Sequence, residues 1–129
     1  MAKLTYNEND VKRTAVLCAT IGNAATTWGS GIIIPAGALV TGVNVCALSA
    51  ITTTNASATV VLNAGTVPLI ATTKINALPA QTVSAALALL TTSGMYLSVG
   101  GELNLVVSAS SNTACTAAYN FYVDYLFVG

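Results

Sequence analysis

The chain has 129 residues, 54% of them hydrophobic and only 6% charged, with four basic residues balancing four acidic ones and no histidine. That length suits one domain around one core. A net charge of zero with scattered basic residues leaves no electrostatic footprint for nucleic acid or an anionic membrane surface, and the missing histidine removes the commonest base of hydrolytic and transfer chemistry.

Five of the eight charges, Lys3, Glu8, Asp10, Lys12 and Arg13, stand in the first thirteen residues, and only Lys74, Glu102 and Asp124 follow. Residues 1–13 therefore read as a polar N-terminal arm and 14–129 as a single β domain. MAKLTYNENDVKR lacks the unbroken apolar stretch of a signal peptide, and no later segment reaches the roughly 18 apolar residues of a membrane-spanning helix. The sequence NEND (7–10) gathers oxygen-bearing side chains, but its spacing matches no calcium loop, so no metal is expected. The arm's composition suits an extended segment lying along a neighbouring subunit, with Tyr6, Lys12 and Arg13 as contacts.

Beyond the arm, β-branched residues and threonines alternate with small ones, between Gly, Asn, Ser and Pro punctuation. TAVLCAT (14–20) is a predicted strand, and GNAATTWGSG (22–31) reads as a loop because small residues and glycines suit irregular backbone. Ile32, Ile33 and Ile34 form a short apolar stretch that Pro35 ends, and Pro-Ala-Gly offers a tight turn into the next strand. Alternation puts Val43, Val45 and Ala47 on one face of that strand and Gly42, Asn44, Cys46 and Leu48 on the other. Since consecutive strand residues point to opposite faces, at least one of the three isoleucines must point away from the core.

ITTTN (51–55) reads as a solvated tip. ASATVVLN (56–63) follows as a strand with Ala58, Val60 and Leu62 in phase, then TVPLIATT (66–73), where Pro68 marks an edge or a bulge. PAQTVSAALALLTTSG (79–94) fits a helical stripe through Val83, Ala86, Leu87 and Leu90 and equally a strand through Val83, Ala85, Leu87 and Leu89, leaving a short helix open. In MYLSVGGELNLVVSAS (95–110), Leu103, Leu105 and Val107 share one face opposite Glu102, Asn104 and Ser108, and Gly100-Gly101 signals a turn. In the C-terminal run, Tyr119, Phe121, Val123, Tyr125 and Phe127 share a face, which predicts a strand central to its sheet. About eight strands with turn signals between them indicate an antiparallel β-sandwich of jelly-roll type.

Candidates for chemistry are sparse. Cys18, Cys46 and Cys115 are odd in number and widely spaced without a C-x-x-C pair, which argues against a disulfide framework or a zinc site and for buried small hydrophobes. Glu102 and Asp124 could face each other as a carboxylate pair, yet each lies on the polar phase of its strand, where an ordinary solvated carboxylate is expected. Asn55-Ala56-Ser57 fits the N-glycosylation pattern without a secretory segment ahead of it. Trp28 looks exposed within its small-residue loop, as packing at the sandwich end, an interface anchor or a stacking platform for sugar.

The order and pattern of IIIPAGALVTGVNV (32–45), ATVVLNAG (58–65), GGELNLVV (100–107), the last in the position of a hairpin arm, and the aromatic C-terminal strand resemble small virion proteins of tailed bacteriophages. Capsid decoration, or cement, proteins of marine and cyanobacterial phages are the nearest resemblance. It implies a β-sandwich, commonly trimeric, that docks on the outside of a capsid, with the major capsid protein as partner and assembly in the host bacterial cytoplasm. It brings no catalytic residue and no cofactor. Related sandwiches in tails and head fibres imply a second possibility, binding of a host-surface glycan or receptor through Trp28 and exposed tyrosines. The scarcity of charge fits the first, because strongly apolar subunit surfaces belong in obligate interfaces. The residues expected to meet another subunit are Ile32, Ile33, Ile34, Trp28, Tyr6, Lys12 and Arg13.

Overall fold

Ten strands form two antiparallel five-stranded sheets in a computed structural model that describes residues 12–21, 26–48, 59–74, 84–90, 94–108 and 117–128. They are β1 (Lys12–Ile21), β2 (Thr26–Ile34), β3 (Ala38–Ala47), β4 (Thr59–Ala64), β5 (Val67–Pro68), β6 (Thr73–Lys74), β7 (Ser84–Leu87), β8 (Met95–Leu97), β9 (Gly101–Val107) and β10 (Ala117–Phe127). The first sheet runs β1-β10-β3-β7 with β8 also on β3, and the second runs β2-β9-β4-β5 with β6 also on β4. The sandwich expected from alternation is therefore present, and no helix occurs among the described residues.

The core lies where the alternating faces meet. Ala15, Leu17, Ala19 and Ile21 of β1, Val43, Val45 and Ala47 of β3, and Tyr119, Phe121, Val123 and Tyr125 of β10 face Val60, Leu62 and Ala64 of β4 and Leu103, Leu105 and Val107 of β9. Each large apolar side chain so enclosed contributes about 1.5–3 kcal/mol relative to exposure. The C-terminal strand is central as predicted, with β1 on one side and β3 on the other. Residues 84–87 settle as strand, so for that part of the ambiguous segment the strand reading holds.

Local irregularities explain where alternation changes phase. Val40 and Val43 are both buried although they stand three positions apart, an odd step that should place them on opposite faces. Across the ladder, Asp124 pairs with Gly42 and Tyr125 with Val40, so Thr41 is an extra residue, a β-bulge that restores the inward phase. Pro35 ends β2, and the turn closes through Ala38 N–H donating to Pro35 O at 3.2 Å, with Gly37 at φ 90°. Pro68 sits in a two-residue edge strand paired only to β4, where its missing donor costs nothing.

Three expectations need correction. The segment 22–31 is not all loop, because Thr26 to Gly31 belong to β2 and Thr26 to Gly29 pair with β9. β8 and β9 are not a hairpin, since β8 pairs with β3 and β9 with β2 and β4, so Gly100-Gly101 carries the chain from one sheet to the other. The glycines serve close backbone passage: a Cβ on Gly100 would stand 2.5 Å from Ile34 O, and one on Gly101 would stand 2.4 Å from Gly65 Cα. β1 also begins at Lys12, inside the span read as arm.

Candidate interaction surface

The isoleucine stretch becomes a surface feature because of a wide bulge in β2. Gly29 pairs with Asn104 and Ile33 with Glu102, so three residues, Ser30, Gly31 and Ile32, stand opposite the single Leu103. Such a detour leaves backbone donors without ladder partners. Gly31 N–H donates to Glu102 Oε2 at 2.8 Å, and Ile32 N–H donates to Ser30 Oγ at 3.0 Å. Gly31 has φ 75°, a conformation glycine adopts freely, and Gly29 leaves room for the carboxylate, since a Cβ there would lie 2.7 Å from Glu102 Oε2.

The bulge pushes Ile32 and Ile33 outward. Ile33 is 62% exposed and Ile32 37%, whereas Ile34 is fully buried. Two of the three isoleucines thus form an apolar knob at the edge of the second sheet, and Ile34 belongs to the core rather than to the surface set. Burying such side chains against a partner is favourable without any charge complementarity.

The other residues singled out in the sequence are dispersed. Trp28, in β2 opposite Leu105, is half-buried, packs partly on the core and borders an open groove. Lys12 and Arg13 are exposed at the start of β1, and Lys12 Nζ lies 3.9 Å from Asp124 Oδ2. Tyr6, the NEND sequence, the ITTTN tip, Asn55 to Ser57 and Cys115 lie outside the described residues.

Glu102 and Asp124 do not face each other, because they stand on different sheets. Glu102 is a ligand of the bulge, and Asp124 accepts a hydrogen bond from Thr14 Oγ1 at 2.6 Å. The two described cysteines are not buried fillers: Cys18 is exposed and Cys46 half-buried, on the outer side of the first sheet, each in register with Asn120 between them. The surface also carries two shallow open grooves. One of about 440 Å³ is lined by Cys18, Trp28, Leu48 and Ala118, the other of about 340 Å³ by Thr41, Asn44, Ala86 and Leu89. Neither gathers the convergent polar groups that fix a small ligand.

The role of Glu102 was missed in the sequence, where it reads as one more solvated carboxylate on a polar phase. A signal was nevertheless present: the two bulge glycines of TTWGSG sit just before an apolar run, and Glu102 is one of only three charges beyond the arm.

No protein-family description matches the chain, and no curated protein matches it in sequence. In three dimensions it is similar to a chain in the acidic stable capsid structure of Helicobacter pylori bacteriophage KHP30, with a TM-score of 0.61 and 13% identity over 92% of this chain and 95% of that one. It is likewise similar to a chain in the cyanophage Pam1 capsid asymmetric unit, with a TM-score of 0.58 and 17% identity over 98% of this chain and 92% of the other. At these identities the likeness establishes a shared fold, spanning nearly the whole of each chain.

Proposed function

We propose that this chain is a structural subunit of a bacteriophage virion, a decoration or cement protein that forms a homo-oligomer and docks on the outer surface of the head to stabilise the shell. The observation that carries this reading is the fold shared end to end with chains from two phage capsid structures. The surface chemistry agrees with it. A knob of Ile32 and Ile33, braced by Glu102, is suited to insertion into a neighbouring protein surface. Only Lys12, Arg13, Glu102 and Asp124 are charged among the exposed or half-buried residues whose side chains are described, so association rests on apolar contact. The cyclic trimer and the major capsid protein as partner are part of this proposal and follow from the family resemblance of the sequence.

No catalytic role is proposed. The two carboxylates that could have formed a pair are each committed to a structural hydrogen bond, on different sheets. The glycan-binding alternative has the weaker support, because Trp28 is half-buried against the core and the groove it borders gathers few polar groups.

Light scattering of the purified chain, followed by co-sedimentation with empty phage heads lacking it, tests the reading. Saturable binding to heads, raised head stability and loss of both in an Ile32→Ser/Ile33→Ser variant are the expected results. A chain that stays monomeric and never sediments with heads would remove the proposal.

A further inference from the structure

The first sheet leaves one long strand open along its side. β1 pairs with β10 and, among the described residues, with no other strand. A strand turns the backbone groups of alternate residues to opposite sides, and the far side of β10 fixes which of them face outward. Leu48 N–H donates to Ala118 O at 2.7 Å, so Ala118 and, by alternation, Asn120 and Tyr122 turn their backbone groups toward β3. Tyr119, Phe121 and Val123 therefore turn theirs toward β1, where they meet Ala19, Leu17 and Ala15. The N–H and C=O groups of Thr14, Val16, Cys18 and Thr20 consequently point out of the sheet, away from β10. Thr14, Cys18 and Thr20 are exposed and Val16 is half-buried.

We infer that this edge pairs antiparallel with the same edge of a second copy of the chain, about a two-fold axis at Val16 or Leu17. The two first sheets then run on as one.

The other margins supply the first argument, because they carry the devices that stop strand addition. β5, β6, β7 and β8 are pieces of two to four residues, Pro68 stands in β5, and β2 is broken by its wide bulge. β1 has ten residues without glycine or proline, and its register with β10 is unbroken from Lys12 to Ile21. Lys12 and Arg13 guard its start, while residues 14–21 carry no charge.

Self-complementarity is the second argument. About either axis, even-numbered residues of one copy meet even-numbered residues of the other. The outward backbone groups then exchange hydrogen bonds, and the buried Ala15, Leu17 and Ala19 stay on one face across the seam. Charge fits as well. Lys12 and Arg13 of each copy fall at the two ends of the ladder, toward the Ala19–Ile21 end of the other copy, so like charges do not stand opposite one another. Main-chain hydrogen bonds give an added strand its affinity. A two-fold pairing also consumes the edge, so growth along it stops at two copies. The contact is separate from a cyclic trimer and from docking to a phage head.

Residue-resolved hydrogen exchange on the full chain at low and high concentration, with sedimentation velocity alongside, tests the inference. The Leu17 and Ala19 amides, bonded to β10, are expected to be protected throughout. Those of Val16 and Cys18 should exchange at least about tenfold more slowly at high concentration, where the mass doubles. Val16→Pro removes one outward donor and spares the bonds to β10, and should abolish both changes. Val16→Cys in a Cys46→Ser/Cys115→Ser background sets a thiol against a thiol of the second copy about either axis, and should give a covalent dimer on mild oxidation. Fast exchange at Val16 and Cys18 at every concentration would overturn the inference. So would association that persists in Val16→Pro while Val16→Cys gives no dimer. Protection that is independent of concentration and lost when residues 1–11 are removed would assign the edge to the chain's own arm. Protection that appears only on adding phage heads would assign it to the shell, and either result overturns self-pairing. Should Val16→Pro fail to fold, exchange in the native chain and the cross-link decide. Head binding by the native chain is measured separately, so a failure here leaves the proposed function standing.

Discussion

The two outer faces of the sandwich treat polarity in opposite ways. On the second sheet, Asn63 Nδ2 donates to Asn104 Oδ1 at 3.1 Å, Asn104 Nδ2 donates to Gly65 O and Glu102 O, each at 3.0 Å, and Thr59 and Ser108 hydroxyls lie 2.8 Å apart. These polar groups tie β4, β9 and the intervening turn together. On the first sheet the outward middle row is Val16, Tyr122, Asn44 and Ala86, with Asn120 Nδ2 donating to Tyr122 Oη at 3.2 Å and Thr14 Oγ1 to Asp124 Oδ1 at 2.6 Å in the rows beside it. On one face the polar side chains bond from strand to strand, with Val106 exposed beside them. The other mixes apolar positions such as Val16 and Leu126 with Thr14, Asn120 and Asn44.

That contrast can be broken by substitution, and the largest effect is expected at the seam beneath the polar face. Gly101→Ala puts a methyl group into Gly65 and displaces the carbonyl that anchors Asn104, at a cost of about 3 kcal/mol. Urea unfolding measures it, and a loss below 1 kcal/mol would show that the two backbones can part without harm. Next, Asn104→Ala removes three hydrogen bonds, two of them half-buried, and is expected to cost about 2 kcal/mol, whereas Asn44→Ala on the opposite face costs under about 0.5 kcal/mol. Equal melting temperatures for these two variants would erase the distinction between the faces.

A smaller effect, about 1 kcal/mol, follows from Glu102→Ala, which leaves Gly31 N–H to water. Glu102→Gln keeps an acceptor and restores about half. The more telling readout is hydrogen exchange at Gly31 and Ile32, faster in the alanine variant than in the glutamine one. Smallest of all, Lys12→Ala should change stability by less than about 0.5 kcal/mol, because an exposed pair 3.9 Å apart gains little in water. A shift above 1 kcal/mol in a thermal melt would mean that this corner of the first sheet is organised by charge after all.

Much of this architecture is legible in the sequence wherever a strand is buried on one side, because period two then has to be kept. The C-terminal run from Tyr119 to Tyr125 and the run from Leu103 to Val107 show it plainly. What alternation does not reveal is anything decided by a neighbouring strand. Thr26 to Gly31 look like loop because an edge strand with a glycine-bearing bulge has little apolar periodicity of its own and takes its extended form from β9. Gly100-Gly101 resembles a hairpin turn because glycine marks tight reversals and close backbone passage alike, and only the partner strands distinguish them. Cys18 is exposed because its phase on β1 opposes Leu17 and Ala19, a fact already implied by the alternation. Treating cysteine as a core residue by type overrode its position.

The splitting of the far edges also bears on how such a chain survives before assembly. β3 is met by β7 and β8 in turn, and β4 by β5 and β6, so each sheet ends in pieces of two to four residues rather than one continuous strand. On the opposite side the longer β1 and β2 lie beside each other. Open, unbroken edges invite indefinite strand-by-strand growth into fibres, most of all in a protein with so little charge to repel its copies. Fragmented margins leave a chain with so few charges available for closed association, rather than lost to filaments along its rims.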